Sequence, residues 1–275
     1  MKKASLFILV SSLFFISCSS DDEVIQTPIP TEGNDIPTVY HPIKIANYWN
    51  YETQNIAVLP TPAAAVIAGD KLLVDSDVVL NTFTYKKMKT EVAPTGFYGS
   101  MLNNNNLRID GSSLKLTGTI TANLDASLPL EFNVNDFIIF KENGVANEVL
   151  SQTSPASFTN TTLLPGATLT FTYSLKSTYI ENIASVTVTS GTYSNIKKTR
   201  IEVELKVTAL NAGIEVDLLS PSTQKVIISD LYYAKNIGVI KANTTIEYNL
   251  ALTLPDIPQH GKQEINDYLS SYLIN

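Results

Sequence analysis

Several stretches in the second half of the chain alternate apolar and polar side chains with a period of two. Leu169, Phe171, Tyr173 and Leu175 are interleaved with Thr168, Thr170, Thr172 and Ser174. Ile201, Val203, Leu205 and Val207 are interleaved with Arg200, Glu202, Glu204 and Lys206. Ile214, Val216 and Leu218 follow, and then Ile246, Tyr248, Leu250 and Leu252. A period of two puts successive side chains on opposite faces of a strand, so each stretch has one face to bury and one to wet. That pattern belongs to antiparallel sheets covered on one side. With 275 residues, 44% of them hydrophobic, the chain has enough apolar material for a sizeable core.

The first half is less regular. Lys71–Val74, Asp77–Leu80 and Phe83–Val92 read as short strands between turn-forming residues. Asn103–Asn106 reads as a polar turn, and Asp110-Gly111 as a hairpin turn between Asn106–Ile109 and Ser113–Ala122. Pro60–Asp70 suits either a short helix or a loop, and the low-charge segment Thr153–Gly166 either a crossover or a boundary between two halves. After Pro255 and Pro258 the period changes. Ile265, Tyr268, Leu269, Tyr272 and Leu273 fall at i, i+3, i+4, i+7 and i+8, one face of a helix over 262–273. That helix is expected to pack on the sheet.

The N-terminus reads as a leader. Lys2 and Lys3 precede an apolar run, Leu6–Ile16. At about 11 residues this run is too short to cross roughly 30 Å of hydrocarbon as a helix, and it fits the h-region of a signal peptide. Phe15-Ile16-Ser17-Cys18 resembles the lipobox of bacterial lipoproteins, with Phe15 where leucine is more usual. The resemblance implies cleavage between Ser17 and Cys18 and acylation of Cys18, palmitate included. A single acyl chain holds a protein marginally, whereas two or more, at about 0.8 kcal/mol per buried CH₂, hold it stably. Ser19, Ser20, Asp21, Asp22 and Glu23 resemble the export signal of Bacteroidota-type surface lipoproteins. That implies the outer face of the outer membrane, with the periplasmic face as the alternative. Residues 19–39, with Pro28, Pro30 and Pro37 and few large apolar side chains, read as a tether able to reach about 60 Å when extended. The expected organisation is a signal peptide over 1–17, a lipidated N-terminus and tether over 18–39, and a β-rich domain over 40–275.

The candidate chemistry is sparse. A lone cysteine can form no internal disulfide and no Cys/His metal cluster. The formal net charge of −7, made more negative by loss of Lys2 and Lys3, argues against nucleic acid as a partner. Lys197, Lys198 and Arg200 read as the solvated face of a strand. His41 and His260 adjoin a proline and a glycine and belong to no triad or metal spacing. Asp75-Ser76-Asp77 begins like a calcium loop, but Val78-Val79-Leu80 supplies no further ligands, so it reads as a surface turn. No catalytic residue, metal or cofactor is expected. Carboxylates brought together only by the fold are the one route left to a hydrolase. Tyr48, Trp49 and Tyr51, in the aromatic stretch Tyr40–Tyr51, have two readings: a ligand platform, for a glycan for example, or a first strand pinned into the core.

Three stretches carry a family resemblance. Tyr40–Tyr51 (YHPIKIANYWNY) is similar to an opening of the form Tyr-x-Pro-Leu-x-x-Gly-x-x-Trp-x-Tyr. Tyr193–Lys198 (YSNIKK) is similar to a Tyr-x-Asn-Val strand entry, and Tyr232–Lys241 (YYAKNIGVIK) to Tyr-Tyr-Ala-x-Gly-Val-Gly-Leu-Val-Lys. Together they resemble uncharacterised lipoproteins of the DUF3108-like and TapB-like kind, which look like distant relatives of the lipid-carrying LolA half-barrel. Ala46 and Asn236 stand where the pattern has glycine. The resemblance implies no catalytic residues.

The expected fold is therefore mainly β, with antiparallel sheets forming a half-barrel or sandwich and one C-terminal amphipathic helix. The expected function is a non-enzymatic binding or structural role at the envelope, held to the membrane by the N-terminal lipid. A glycan, a lipid or another envelope protein is the candidate partner. A lipid-handling half-barrel is the second reading and a carboxylate-based hydrolase the third. Replacing Cys18 with Ala should release the β domain from the membrane fraction or stall the precursor. A Cys18→Ala protein that stays membrane-bound and is normally processed refutes the anchor.

Overall fold

The structure, a computed structural model, describes residues 40–125, 128–164, 166–254 and 257–275. The signal peptide, the cleavage pair Ser17 and Cys18, the Ser19–Glu23 signal and the tether lie outside the described residues. The strands are β1 (Tyr48–Leu59), β2 (Val66–Leu80), β3 (Phe83–Thr90), β4 (Asn106–Asp110), β5 (Ser113–Asp125), β6 (Leu128–Lys141) and β7 (Val149–Gln152). They continue as β8 (Ala156–Asn160), β9 (Thr168–Val188), β10 (Gly191–Asn211), β11 (Ile214–Asp217), β12 (Thr223–Ala234), β13 (Gly238–Asn249) and β14 (His260–Leu273). One short helix, α1 (Phe97–Leu102), interrupts them. All belong to one antiparallel sheet with the order β6-β5-β4-β3-β2-β1-β14-β13-β12-β10-β9-β7. β11 pairs with β10, and β8 with β9. The sheet is an open, curled half-barrel.

The inward face carries the core. Leu169, Phe171, Tyr173 and Leu175 on β9 are buried, as are Ile201, Val203, Leu205 and Val207 on β10. Ile246, Tyr248 and Leu250 are buried too. Their polar neighbours face out, where Glu202 pairs with Lys176 and Lys225, and Asp230 with Lys198 and Arg200. These are cross-strand pairs over β9, β10 and β12, worth some tenths of a kcal/mol each where exposed. Curling brings β6 against β9 and β10. No ladder forms there; side chains make the join. Ser177 Oγ donates to the Ile138 carbonyl, Thr199 Oγ1 to that of Ile139 at 3.0 Å, and Lys197 Nζ to that of Glu142 at 2.6 Å. The register explains why β6 has carbonyls to offer. Leu114 pairs with Phe140 but Lys115 with Ile138, so Ile139 is an extra residue. Such a bulge bends the strand and breaks its ladder locally. A second irregularity lies near Asp136, at φ 50°, braced by Arg108 at 2.9 Å and Tyr85 Oη at 2.6 Å.

Several sequence expectations are corrected. Residues 262–273 form β14, not a helix, and pair with both β1 and β13. Gly261, Ile265, Asp267 and Leu269 point inward with a period of two, and Tyr268 and Tyr272 are only partly buried. A buried carboxylate at the inward position between Ile265 and Leu269 hides that period, leaving only the four-residue spacing of the apolar pair visible. Ile214 and Val216 are exposed on β11, and only Leu218 of that stretch is buried; Leu252 is exposed as well. Lys71–Val74 and Asp77–Leu80 belong to one strand, β2, with a bulge between Val74 and Ser76. Pro60–Asp70 is neither helix nor wholly loop, since β2 begins at Val66. Thr153–Gly166 holds β8, which pairs with the start of β9 on the same continuous sheet. The Asp110-Gly111 hairpin is present, with Gly111 at φ 59°.

Ala46 has φ 72° and Asn236 φ 62°. Both positions where the family pattern has glycine thus need the left-handed conformation. Asn236 adopts it at modest cost, whereas alanine is strained there by about 1–2 kcal/mol. Ala46 is exposed, so its methyl contributes little packing. After the entropy cost that glycine adds in the unfolded chain, Ala46→Gly should raise stability by about 1 kcal/mol. Urea denaturation checks this, and a midpoint that falls contradicts it.

Candidate functional site

One end of the half-barrel is sealed by aromatic side chains. Trp49 and Tyr51 are fully buried there, so the ligand-platform reading fails for both. Trp49 Nε1 donates to the Ile237 carbonyl at 2.6 Å and Tyr51 Oη to that of Val239 at 2.7 Å. On the alternating strand β1 the odd-numbered aromatics turn inward, and Tyr48 turns outward with Lys71 Nζ 4.7 Å from its ring centroid. His41 stacks on Trp49 at 5.2 Å and meets Tyr233 edge-on at 6.3 Å. Phe140 joins Tyr233 at 4.3 Å and Tyr40 at 5.4 Å, and Tyr40 Oη donates to the Asn195 carbonyl at 3.3 Å. The three stretches that carry the family resemblance therefore meet in one packed cluster. Neither ring nitrogen of His41 has a hydrogen-bond partner among the described residues, and burial lowers its pKa to about 4. It is a neutral core residue at neutral pH. His260 lies on the outer surface, 3.1 Å from Glu247.

Helix α1 fills the concave side through Phe97, Tyr98, Met101 and Leu102, all buried. Two buried carboxylates hold its start. Asp70 on β2 accepts from Thr95 N and Oγ1 at 2.8 Å and from Gly96 N at 2.7 Å. Asp267 on β14 accepts from Thr53 Oγ1 at 2.7 Å and Tyr98 N at 3.3 Å. The approach is close enough that a Cβ on Gly96 would lie 2.0 Å from Asp267 Oδ1, and one on Gly99 2.8 Å from Asp70 Oδ2. Burial, with Asp70's charge adding to it, raises the Asp267 pKa to about 7. Both acids are engaged at the helix, and neither lines the cavities described next. They are structural rather than a hydrolytic pair. Polar Asp70 ends a stretch that suits either a short helix or a loop, and Asp267 sits in one that reads as a helix, so neither advertises an inward strand position in the sequence.

The other end is a mouth with two adjoining recesses. One, about 360 Å³, is walled by Leu124, Leu169, Phe171, Val207, Tyr248 and Leu250 on the strands. Leu163, Leu164, Leu218, Leu219, Leu254 and Ile257 from the connecting segments complete it. The other, about 720 Å³, is polar and lies beside α1. Asn55, Asn103, Asn104, Thr121, Asn123, Glu131 and Gln263 line it over a floor of Phe97, Ile246 and Ile265. β13 links the two, with Ile246 in one and Tyr248 and Leu250 in the other. The apolar recess escaped sequence reading because half its wall comes from connections with no periodicity.

Lys198 and Arg200 both pair with Asp230, whereas Lys197 turns to the Glu142 carbonyl and lies 5.2 Å over Tyr40 rather than on a solvated face. Asp75-Ser76-Asp77 lies within β2, where Asp77 pairs with Lys86. Among the described residues no group of His, Cys, Asp and Glu could hold a metal ion.

Two core groups that titrate in the acid-to-neutral range, His41 and Asp267, have opposite effects on stability. His41 is neutral in the fold and takes a proton in the unfolded chain below about 6.5, so its contribution is lost as pH falls from 6.5 through 4. Asp267 keeps its proton in the fold up to about pH 7 while the unfolded chain ionises near 3.8, so its contribution falls as pH rises from 3.8 to 7. Asp267→Asn removes the second effect alone. From pH 4 to pH 8 the variant should gain on the parent by on the order of 4 kcal/mol. Paired denaturation curves at the two pH values measure it, and a constant difference refutes the raised pKa.

No protein family and no curated protein matches the sequence. Among solved structures, the chain is similar to a protein of Bacteroides fragilis described as exported and as having a YmcC-like fold. The identity is 6% and the TM-score 0.36, over 86% of this chain and 99% of that one. At that level the likeness bears on neither function nor site.

Proposed function

We propose that this is an exported, lipid-anchored envelope protein that binds an apolar ligand at the mouth of its half-barrel and does no chemistry on it. The recess of about 360 Å³ carries this reading. It falls in the size range of small-ligand sites, and its lining is almost wholly aliphatic and aromatic. Its outer wall is built from Leu163, Leu164, Leu254 and Ile257, all only partly buried. Connecting segments of that kind can part to admit a chain without opening the sheet. The lipobox-like Phe15–Cys18 and the serine-acid stretch after it support export and anchoring at the outer membrane, on its outer face. The sparse catalytic inventory supports binding without turnover.

The soluble chain from Ser19 onward, titrated with a fluorescent polyene fatty acid, should show saturable binding. Leu164→Trp and Leu254→Trp, which fill the recess from its rim, should weaken binding at least tenfold, and Val79→Asp on the outer surface should not. No binding by the parent, or equal binding by the filled variants, overturns the reading.

A further inference from the structure

The polar recess has a wall that the apolar one lacks: a strand edge. β4 pairs with β5 only as far as Asn106↔Thr117. β5 continues to Asp125 with β6 on one side and, among the described residues, no strand on the other. At the first residues past the end of β4, a side chain takes the missing strand's place. Asn105 accepts from Thr119 N at 2.9 Å and donates to the Thr119 carbonyl at 2.7 Å, the two bonds a neighbouring strand would make. Antiparallel pairing alternates, so the N–H and C=O of Thr121 and Asn123 point the same way as those of Thr119, into the recess. Asn123 lies opposite Pro129 of β6, whose nitrogen has no proton to give β5, as that alternation requires.

We propose that the β5 edge from Thr119 to Asn123 is a docking strand, and that the recess takes up an extended peptide segment as an added strand. Donors and acceptors that repeat every second residue match another extended backbone, which is the basis of strand addition. The recess, about 720 Å³, has room for such a segment, and Asn104 and Gln263 stand on its far wall to meet side chains. Glu131, opposite Thr121, is the one charged side chain among the described residues of its lining. It favours a peptide with lysine or arginine at the facing position and disfavours an acidic one. This inference does not depend on the apolar recess.

The test uses the mature chain and a displayed library of random heptapeptides. Peptides that alternate in character and carry a basic residue should be enriched. Thr121→Pro removes one edge N–H while leaving the β5–β6 ladder intact, because that N–H faces away from β6. It should weaken the best peptide at least tenfold, and Glu131→Gln should weaken basic peptides selectively. Hydrogen exchange on the unaltered chain gives a readout independent of how the variants fold. Without peptide, the Thr121 and Asn123 amides should exchange faster than those of Ile120 and Ala122, and bound peptide should slow them. Equal protection in the free chain means the edge is already covered, which overturns the proposal. So does a library that yields nothing, or an oligosaccharide that binds the recess and is lost in Asn123→Ala but not in Thr121→Pro.

Discussion

A long sheet that curls on itself must do something with its edge strands, and here the edge of β6 that faces away from β5 is met by side chains instead of a second strand. Ser177 and Thr199 occupy inward positions among leucines, tyrosines and valines and are fully buried. Their hydroxyls satisfy the Ile138 and Ile139 carbonyls that the bulge sets free. A net hydrogen bond is worth about 1 kcal/mol, but a buried carbonyl without one costs about 1–3 kcal/mol. The bulge and the hydroxyls are therefore one device, since either alone would leave an uncompensated polar group. Further along, towards the mouth, the contact is made by rings, Phe132 on Tyr173 at 5.0 Å. The limbs are tied by backbone acceptors at the sealed end and by side-chain packing at the open one. Both recesses lie at the less constrained end.

The same economy explains the two buried acids. α1 is only six residues long and would not persist alone in water. Its apolar face supplies four buried side chains, each worth on the order of 2 kcal/mol. Its first amides need acceptors where water has been excluded. Asp70 and Asp267 provide them from strands on either side of β1, and Gly96 and Gly99 let them approach. Burying Asp267 has a cost, visible as its raised pKa, and the protein meets it by keeping the group protonated through mildly acidic pH. The acids thus fix the helix that forms one wall of the polar recess.

How much of this was legible varied by element. Leu169–Leu175 of β9, Ile201–Val207 of β10 and the end of β13 are legible from alternation because each inward position there is apolar. β14 was misread because one inward position is Asp267, and the remaining apolar residues then mimic a helix. Its neighbours on both sides, β1 and β13, decide the matter, and pairing across more than two hundred residues leaves no local trace. α1 was missed because six residues are too few for a helical period, and Gly99 lowers helix propensity further. Tyr48, Trp49 and Tyr51 offered two readings, and only burial separates them. At the recesses, sequence supplied neither the connecting leucines nor the open β5 edge. An edge is a property of what does not pair, and composition does not record it.

The placement of the two recesses relative to the point where the described chain begins has a functional consequence. Tyr40 lies in the aromatic seal, packed on Phe140 and bonded to Asn195. A chain held through its N-terminus, as proposed, would therefore enter the domain at its closed end, and both recesses open at the other. In a chain acylated at Cys18, pulling on the tether loads the seal, where Trp49 and Tyr51 are hydrogen-bonded to β13 and its preceding turn and β1 is paired on both sides. That is the part of the sheet best able to bear it. The mouth, walled by connections and a strand edge, is left free to change shape around an occupant. Under the proposed function, anchoring and binding fall at opposite ends of the strands, with the packed core between them.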